Sequence, residues 1–257
     1  MHLFDRPLGK LLRWVAAGAA ALGLGAALAL QPSSGGAAQP AYIRPGFAAT
    51  MAELRPTILA AAARHNRSGD SGMSDREFAS LIVLILYNEH DGWLEDSIPL
   101  LHAVTPAYQR AQVDINLATG SDLTVWPANL RPSVAEEIVA GQTPVSRGWI
   151  ITPMALQSFP RRSGPSERER YIALTQTLSD TTSAIDYLAA NLMRGVARAR
   201  YEGVPISWRA LAAWHNQGVV GPQQIAANAT AQGYLSRAAR YLPAARALFD
   251  EPDALSR

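Results

Sequence analysis

The sequence contains no cysteine among its 257 residues. This absence excludes a disulfide framework, a thiolate zinc site, an iron–sulfur cluster and a cysteine nucleophile, because each of them needs a thiol. It also excludes the lipid-bearing cysteine of a bacterial lipoprotein. The compartment stays open at this point, because exported proteins can lack cysteine.

Charge is scarce as well. Only 17% of the residues are charged, and 23 Lys and Arg against 21 Asp and Glu leave a net charge of +2. A balance this close to zero does not favour a nucleic-acid partner. The sequence has no P-loop and no GxGxxG, GxSxG or HExxH pattern, so we expect neither a cofactor nor a metal.

Apolar residues are plentiful, at 48%, and they begin early. Three basic residues stand in the first 13 positions, an uncharged apolar run fills residues 14–30, and small residues with a cleavage-like site follow at 36–38. This order predicts a secretory signal at residues 1–38. An uncleaved membrane anchor is the alternative, because residues 14–30 are just long enough to span a membrane, which needs about 17–25 residues. Either way we expect a periplasmic or extracellular protein, or one anchored in the cytoplasmic membrane.

The remaining chain, residues 39–257, is predicted to be one mainly α-helical domain with a small irregular or β-hairpin lobe. Ser74 and Glu77 form a capping box, and the apolar run after them predicts a buried central helix. Weak alternation places the irregular lobe at residues 112–126. Residues 145–165 are rich in Pro and Arg, which favours a surface connection.

Other local signals predict where helices begin and break. A second capping box, Ser133 with Glu136, predicts the start of a short helix. Pro56 is predicted to interrupt a helix over residues 51–65, and two or three short helices are predicted for residues 222–249. Three further residues are predicted to cap the later helices: Ser166, Asp180 and Ser207.

Glu89 is the first candidate for a functional residue, because it ends the most apolar helix of the chain. Burial and the negative end of the helix dipole both raise a carboxyl pKa. A carboxylic acid that is still protonated near neutral pH can protonate a leaving oxygen. The alternative is a glutamate that only pairs or caps at a helix end.

The order of elements around Glu89 resembles that of the lytic transglycosylase and goose-type lysozyme superfamily, enzymes that cut peptidoglycan. In that family an apolar helix ends in the catalytic glutamate, as residues 81–89 (LIVLILYNE) do here. Residues 129–135 (NLRPSVA) are similar to the second half of the family's Gly-Leu-Met-Gln-Ile-x-Pro-Ser-Thr-Ala stretch. Residues 211–218 (LAAWHNQG) are similar to its Leu-Ala-Ala-Tyr-Asn-x-Gly motif, with one extra residue. Weaker matches follow the same order at Asp180, Ile185, Tyr187, Leu188 and Tyr234.

The resemblance implies a lysozyme-like fold and a peptidoglycan lytic transglycosylase (a lyase) or a lysozyme-like glycosidase. Such an enzyme cuts the glycan strand between N-acetylmuramic acid and N-acetylglucosamine, and Glu89 would be its general acid and base. The implied partners are peptidoglycan strands, with no cofactor. The implied substrate-binding residues are Asn129, Asn216, Tyr234 and His90, with Asn216 holding the N-acetyl group or the loop beside Glu89.

The sequence also departs from the family. His90 replaces the usual serine after the glutamate, residues 126–128 replace the Gly-Leu-Met half, and His215 stands before Asn216. His90 and His215 are both candidates for a place near Glu89. Acids that offer a possible second carboxylate are Asp91, Glu95, Asp96 and Asp122. The departures keep two alternatives open, an inactive glycan-binding or scaffold protein of the cell envelope and an unrelated helical export factor.

Overall fold

The computed structural model describes residues 41–44, 46–91, 104–157, 159–160 and 166–250. Helices and a two-stranded antiparallel sheet make up this part of the chain, which confirms the mainly α class. In chain order the elements are α1 (Phe47–His65), α2 (Ser68–Ser71), α3 (Asp75–His90), α4 (Thr105–Thr119), α5 (Pro132–Val139), β1 (Gln142–Val145), β2 (Gly148–Ile151), α6 (Glu167–Leu178), α7 (Thr181–Tyr201), α8 (Trp208–Gln217), α9 (Pro222–Ala227) and α10 (Ala229–Asp250).

The apolar run at residues 14–30 lies outside the described residues. Within the part of the chain that the structure describes, no helix is both long enough and apolar enough to cross a membrane.

Helix α3 is the centre of the core. It begins at the predicted capping box, in which the Ser74 hydroxyl accepts from the Glu77 N–H and the Glu77 carboxylate accepts from the Ser74 N–H at 2.7 Å. Every residue from 81 to 86 is at most 3% exposed. All faces of this apolar stretch are therefore covered by neighbouring elements. Helices α1 and α10 pack along it, and Tyr87 stacks on Tyr241 of α10.

Helix α7 is the second buried helix, and it begins where Asp180 accepts from the Ser183 N–H at 2.8 Å. It holds the hairpin through buried arginines. Arg194 donates to the carbonyl of Gln142 at 2.7 Å, and Arg198 donates to that of Pro144 at 2.7 Å. The small lobe is therefore the β-hairpin at residues 142–151, within and beside the segment predicted to be a surface connection.

The lobe predicted at residues 112–126 is wrong in its first half, because α4 continues to Thr119. The β-branched, Asn and Asp residues at 112–119 have low helix propensity, so tertiary packing decides that this segment is helical. Asn116 is fully buried and accepts from the N–H of Leu123, while its amide donates to the Leu123 carbonyl at 2.7 Å. Gly120 ends the helix with a φ of 70°, and Arg168 packs so close that a Cβ there would meet its Cγ at 2.5 Å.

Two further expectations are wrong for the same reason, that tertiary packing overrides a local signal. Helix α1 runs unbroken through Pro56, which lies on its exposed face while Met51 and Ile58 hold the buried face in the core. Residues 222–249 do hold two helices, as predicted, but only α9 is short, because α10 continues over residues 229–250. Helix α5 begins at Pro132 without a Ser133 cap, because Ser133 instead donates to Asp122.

A buried acid ties α1 to α7. Asp186 is 1% exposed and accepts hydrogen bonds from His65 at 2.9 Å, from the backbone N–H of Gln157 at 2.7 Å and from Arg64. Burial raises the pKa of Asp186, but these hydrogen bonds and the neighbouring charges outweigh burial and leave it below its usual value. The ionised carboxylate is therefore part of the folded state.

We expect Asp186→Asn to lower the free energy of unfolding by about 2–4 kcal/mol at neutral pH, because buried donors lose their charged acceptor. Because the pKa of Asp186 is lower in the folded protein than in the unfolded chain, its ionised carboxylate stabilises the fold at pH values above the usual carboxyl pKa. This stabilisation is lost as the pH falls through the pKa of the folded state. The difference in the free energy of unfolding between wild type and the Asp186→Asn variant should therefore shrink in acid. Urea unfolding at neutral and acidic pH measures it, with exposed Asp114→Asn as the control. An equal loss in both variants would contradict this assignment.

Candidate functional site

Glu89 lies in the last turn of α3, where the buried helix reaches the surface. Its side chain is 13% exposed, in contrast to the fully covered residues one and two turns before it. Gln109 of α4 donates to the Glu89 carbonyl at 3.4 Å and fixes this end of the helix. The position of Glu89 at the end of a buried helix agrees with the sequence prediction.

Asn129 is the first partner of the Glu89 carboxylate. It closes the tight turn at residues 126–129, which is framed by a bridge between Val125 and Leu130. Its φ is 48°, in the left-handed region that costs most residues energy and that asparagine tolerates. In this conformation the Asn129 amide donates to Glu89 Oε2 at 2.7 Å. The turn thus delivers a donor to the carboxylate from a distant part of the sequence.

His215 is the second partner, and it comes from the end of α8. Its Nε2 lies 3.2 Å from Glu89 Oε1, and its side chain is only 2% exposed. The preceding residue, Trp214, fixes α8 against α7 by donating to the carbonyl of Asn191 at 2.8 Å. At Gly195 a Cβ would lie 2.6 Å from the Trp214 ring, so only glycine allows this approach.

Helix α10 supplies the third side of the site. Tyr234 is 2% exposed, and its ring lies 6.5 Å from that of His215. Burial and the negative charge of Glu89 raise the pKa of Tyr234 well above its usual value, so it remains a neutral hydroxyl. Arg237 lies one turn further on, with its guanidinium 5.9 Å from the Tyr234 ring centre. Burial lowers the pKa of Arg237 and the charge of Glu89 opposes this.

The charge of Glu89 differs from the sequence prediction. Burial raises its pKa, as expected, but the hydrogen bonds from His215 and Asn129 and the charge of His215 together lower it below the usual value. The free carboxyl is therefore ionised at neutral pH. The expectation of a raised pKa was wrong because the donors come from segments whose approach no local pattern reveals.

Several buried polar atoms around Glu89 have no hydrogen-bond partner among the described residues. They are both amide atoms of Asn88, Nδ1 of His215, Oδ1 of Asn216 and the hydroxyl of Tyr234, which is still close enough to the Glu89 carboxylate to lower its pKa. Buried polar groups are nearly always paired in native proteins, so an unpaired group needs an explanation such as a catalytic role or ordered water. Their concentration beside one carboxylate marks this end of α3 as the candidate functional site.

His90 is not part of this group, which is a correction to its predicted role in substrate binding. Successive helix residues point about 100° apart, so His90 faces α1 when Glu89 faces the site. Its ring is 8% exposed, stacks on Phe47 at 3.5 Å, and faces Trp126 and Arg44 with its two nitrogens at 3.0 and 2.8 Å. Burial and the charge of Arg44 lower its pKa to about 3. His90 is thus a neutral core residue.

Asn216 is beside the site, but the residue before it makes the contact to Glu89. In the segment at 211–218 it is His215 that the structure turns towards the carboxylate. The predicted role fell on Asn216 because that residue matches the asparagine of the motif that the segment resembles. The Asn216 carbonyl accepts from Gln217 at 2.9 Å, and its side-chain oxygen is one of the unpaired atoms.

The candidate second carboxylates have other roles or lie outside the described residues. Asp122 accepts from both the N–H and the hydroxyl of Ser133, and Asp91 is fully buried beside Arg44. Glu95 and Asp96 are outside the described part of the chain. Among the described residues, no group of three or more His, Asp or Glu is placed to hold a metal ion.

A surface groove of about 280 Å³ lies elsewhere, between the hairpin and α7. Two arginines line it, but Asp70 pairs with both of them, Arg67 at 3.3 Å and Arg200 at 2.5 Å. None of the predicted site residues borders this groove.

Comparisons with known proteins add no assignment. No protein-family model, no curated protein and no solved structure matches this chain. A function for this protein therefore has to be inferred from the geometry around Glu89.

Variants of Asn129 test the balance that sets the charge of Glu89. Asn129→Gly keeps the positive φ without strain and removes the amide donor, so we expect the pKa of Glu89 to rise. Asn129→Asp also tolerates the turn, but it places a second carboxylate against Glu89 and should raise that pKa further. A titration of the Glu89 side-chain carboxyl by ¹³C NMR measures both. The same pKa in all three proteins would show that the contact does not stabilise the charge.

Proposed function

We propose that this protein is an exported peptidoglycan-cleaving enzyme of lysozyme-like fold, with Glu89 as its single general acid and base. One observation carries the proposal. The three segments that the resemblance groups together, residues 81–89, 129–135 and 211–218, meet at the Glu89 carboxyl. The contacts are the Asn129 amide at 2.7 Å and the His215 ring at 3.2 Å.

The proposed substrate is the glycan strand, cut between N-acetylmuramic acid and N-acetylglucosamine. Protonated Glu89 donates its proton to the glycosidic oxygen, and the bond from that oxygen to the anomeric carbon breaks. The N-acetyl carbonyl of the muramic acid stabilises the cationic sugar. The Glu89 carboxylate then takes the proton of the C6 hydroxyl, whose oxygen closes an anhydro ring. A positioned water in place of that hydroxyl gives hydrolysis instead. Glu89 ends either reaction protonated, as it began.

A single carboxylate suits this chemistry, because the substrate itself supplies the second group. Glycosidases that follow the commoner scheme use two carboxylates on opposite sides of the scissile bond. Asp91 and Asp122 are engaged in contacts away from Glu89. The ionised resting state of Glu89 has a consequence for such an enzyme, since donation requires the protonated form. We therefore expect cleavage to be fastest in acidic medium.

The setting of the enzyme follows from the N-terminal sequence. A signal or anchor at residues 1–38 puts the domain in the periplasm or outside the cell, where peptidoglycan strands are its partner. An uncleaved segment would also attach it to the cytoplasmic membrane.

A catalytically inactive glycan-binding or scaffold protein is the second candidate. The low pKa of Glu89 favours it, because an ionised carboxylate between two donors can serve as a fixed acceptor for sugar hydroxyls. In that case the same site binds glycan without releasing fragments.

Glu89→Gln is expected to abolish the release of fragments from purified peptidoglycan by the full-length protein. Glutamine keeps the size of the side chain but cannot donate and then accept a proton, and this exchange is typically worth ~10²–10⁴-fold in rate. Fragments are counted from acidic to neutral pH, with exposed Glu53→Gln of α1 as the matched control, which should keep full activity.

The identity of the products separates the candidates. Mass spectrometry of the released fragments identifies their ends. Anhydro ends indicate a lyase, and reducing ends indicate a hydrolase. Equal release by wild type and Glu89→Gln would remove Glu89 as the acid. If neither protein releases fragments at any pH while both sediment with peptidoglycan, the glycan-binding candidate replaces the enzyme.

The export proposal has its own test, N-terminal sequencing of the native protein after cell fractionation. A start near Gln39 in the soluble envelope fraction is expected for a cleaved signal. An intact N-terminus in the membrane fraction is expected for an anchor. A soluble cytoplasmic protein with residues 1–38 intact would contradict both.

A further inference from the structure

His215 and Glu89 form a pair in which the two members differ in access. The Glu89 side chain is 13% exposed, whereas that of His215 is 2% exposed and its Nδ1 has no hydrogen-bond partner among the described residues. The carboxylate is therefore more accessible from solvent than the imidazole. This geometry gives Glu89 the contact to the reacting atoms and leaves His215 to act through Glu89.

We propose that His215 is a positioning residue that keeps the Glu89 carboxylate ionised and oriented, so that cleavage at this site is confined to acidic medium. The consequence for cleavage rests on the proposed function. The effect of His215 on the ionisation of Glu89 is independent of the proposed function, and it can be measured without a substrate.

The groups that face Glu89 support this role for His215. Asn129 and Tyr234 are neutral, whereas Arg237, 5.9 Å from the Tyr234 ring centre, carries a positive charge that also interacts with Glu89. His215 combines a hydrogen bond with a charge, and both lower the pKa of Glu89 against the opposing effect of burial. A neutral replacement without a donor removes both effects and leaves the donors Asn129 and Tyr234 against burial, so that pKa should rise.

The position of His215 is fixed by the helix that carries it. Trp214 is held by its hydrogen bond to Asn191, and the guanidinium groups of Arg194 and Arg198 lie 5.7 and 6.0 Å from the centre of its ring. Ser207 caps the other end of α8 by accepting from Ala210 at 3.2 Å. The imidazole is therefore presented to Glu89 by a rigid element rather than by a loop, as a positioning role requires.

Two substitutions separate the hydrogen bond from the charge. His215→Gln offers an N–H donor without a positive charge, whereas His215→Phe offers neither. We expect the pKa of Glu89, measured by ¹³C NMR of its carboxyl in the full-length protein, to rise in the order wild type, Gln variant, Phe variant. Gln217→Ala, an exposed change at the same helix end, should leave it unchanged.

The pH profile of fragment release provides the second measurement. The ratio of activity at neutral pH to activity in acid should increase several-fold in the Gln variant and more in the Phe variant, because more of the carboxyl stays protonated. The maximal rate should fall in the Phe variant, since Glu89 loses an orienting contact there, and less in the Gln variant, which keeps a donor. A role in folding alone would lower the rate without moving the profile.

The outcomes distinguish this inference from the proposed function. An unchanged pKa of Glu89 in both folded variants overturns the role of His215, even if wild type cleaves peptidoglycan. A raised pKa with no fragments from any protein supports the control of charge and overturns the enzyme. If the Phe variant does not fold, the Gln variant alone decides, because glutamine is close to histidine in size and keeps a polar donor.

Discussion

The burial of α3 on all of its faces is the constraint on which the rest of the structure depends. A helix with apolar residues around its whole circumference is stable only when neighbours cover every side. Helices α1 and α10 pack along it, and α7 and α8 complete the enclosure. Glu89, in the last turn, is therefore brought to the edge of the core with its carboxylate largely removed from water.

A carboxylate in that position must either take up a proton or receive donors, because burial of an unpaired charge is costly. The fold follows the second course. An amide arrives from a strained turn at Asn129, and an imidazole arrives from the end of α8. Desolvation and donors act on the pKa in opposite directions, and the donors outweigh desolvation. The chemistry of the site is set by this balance and not by burial alone.

The two donors depend on features far from the carboxylate. Asn129 reaches Glu89 only with a positive φ, which asparagine tolerates better than most residues. His215 reaches it because Trp214 packs onto α7 at Gly195, where any side chain would collide. Substitutions at these supporting positions are therefore expected to change the charge of Glu89 without touching it.

The sequence by itself determined the capping box at Ser74, the buried run after it and the place of Glu89 at its end, because caps and helical periodicity are local. The resemblance to the lytic transglycosylase and lysozyme superfamily implied in addition that residues 129–135 and 211–218 meet Glu89. Only the tertiary structure decided that His215 rather than Asn216 makes the contact and that His90 is a core residue. Only packing decided that α4 continues to Thr119 and that residues 229–250 form one helix. The direction of the Glu89 pKa shift was likewise decided only by the tertiary structure. It depends on contacts between segments that are distant in sequence, and no local pattern encodes the geometry of such contacts.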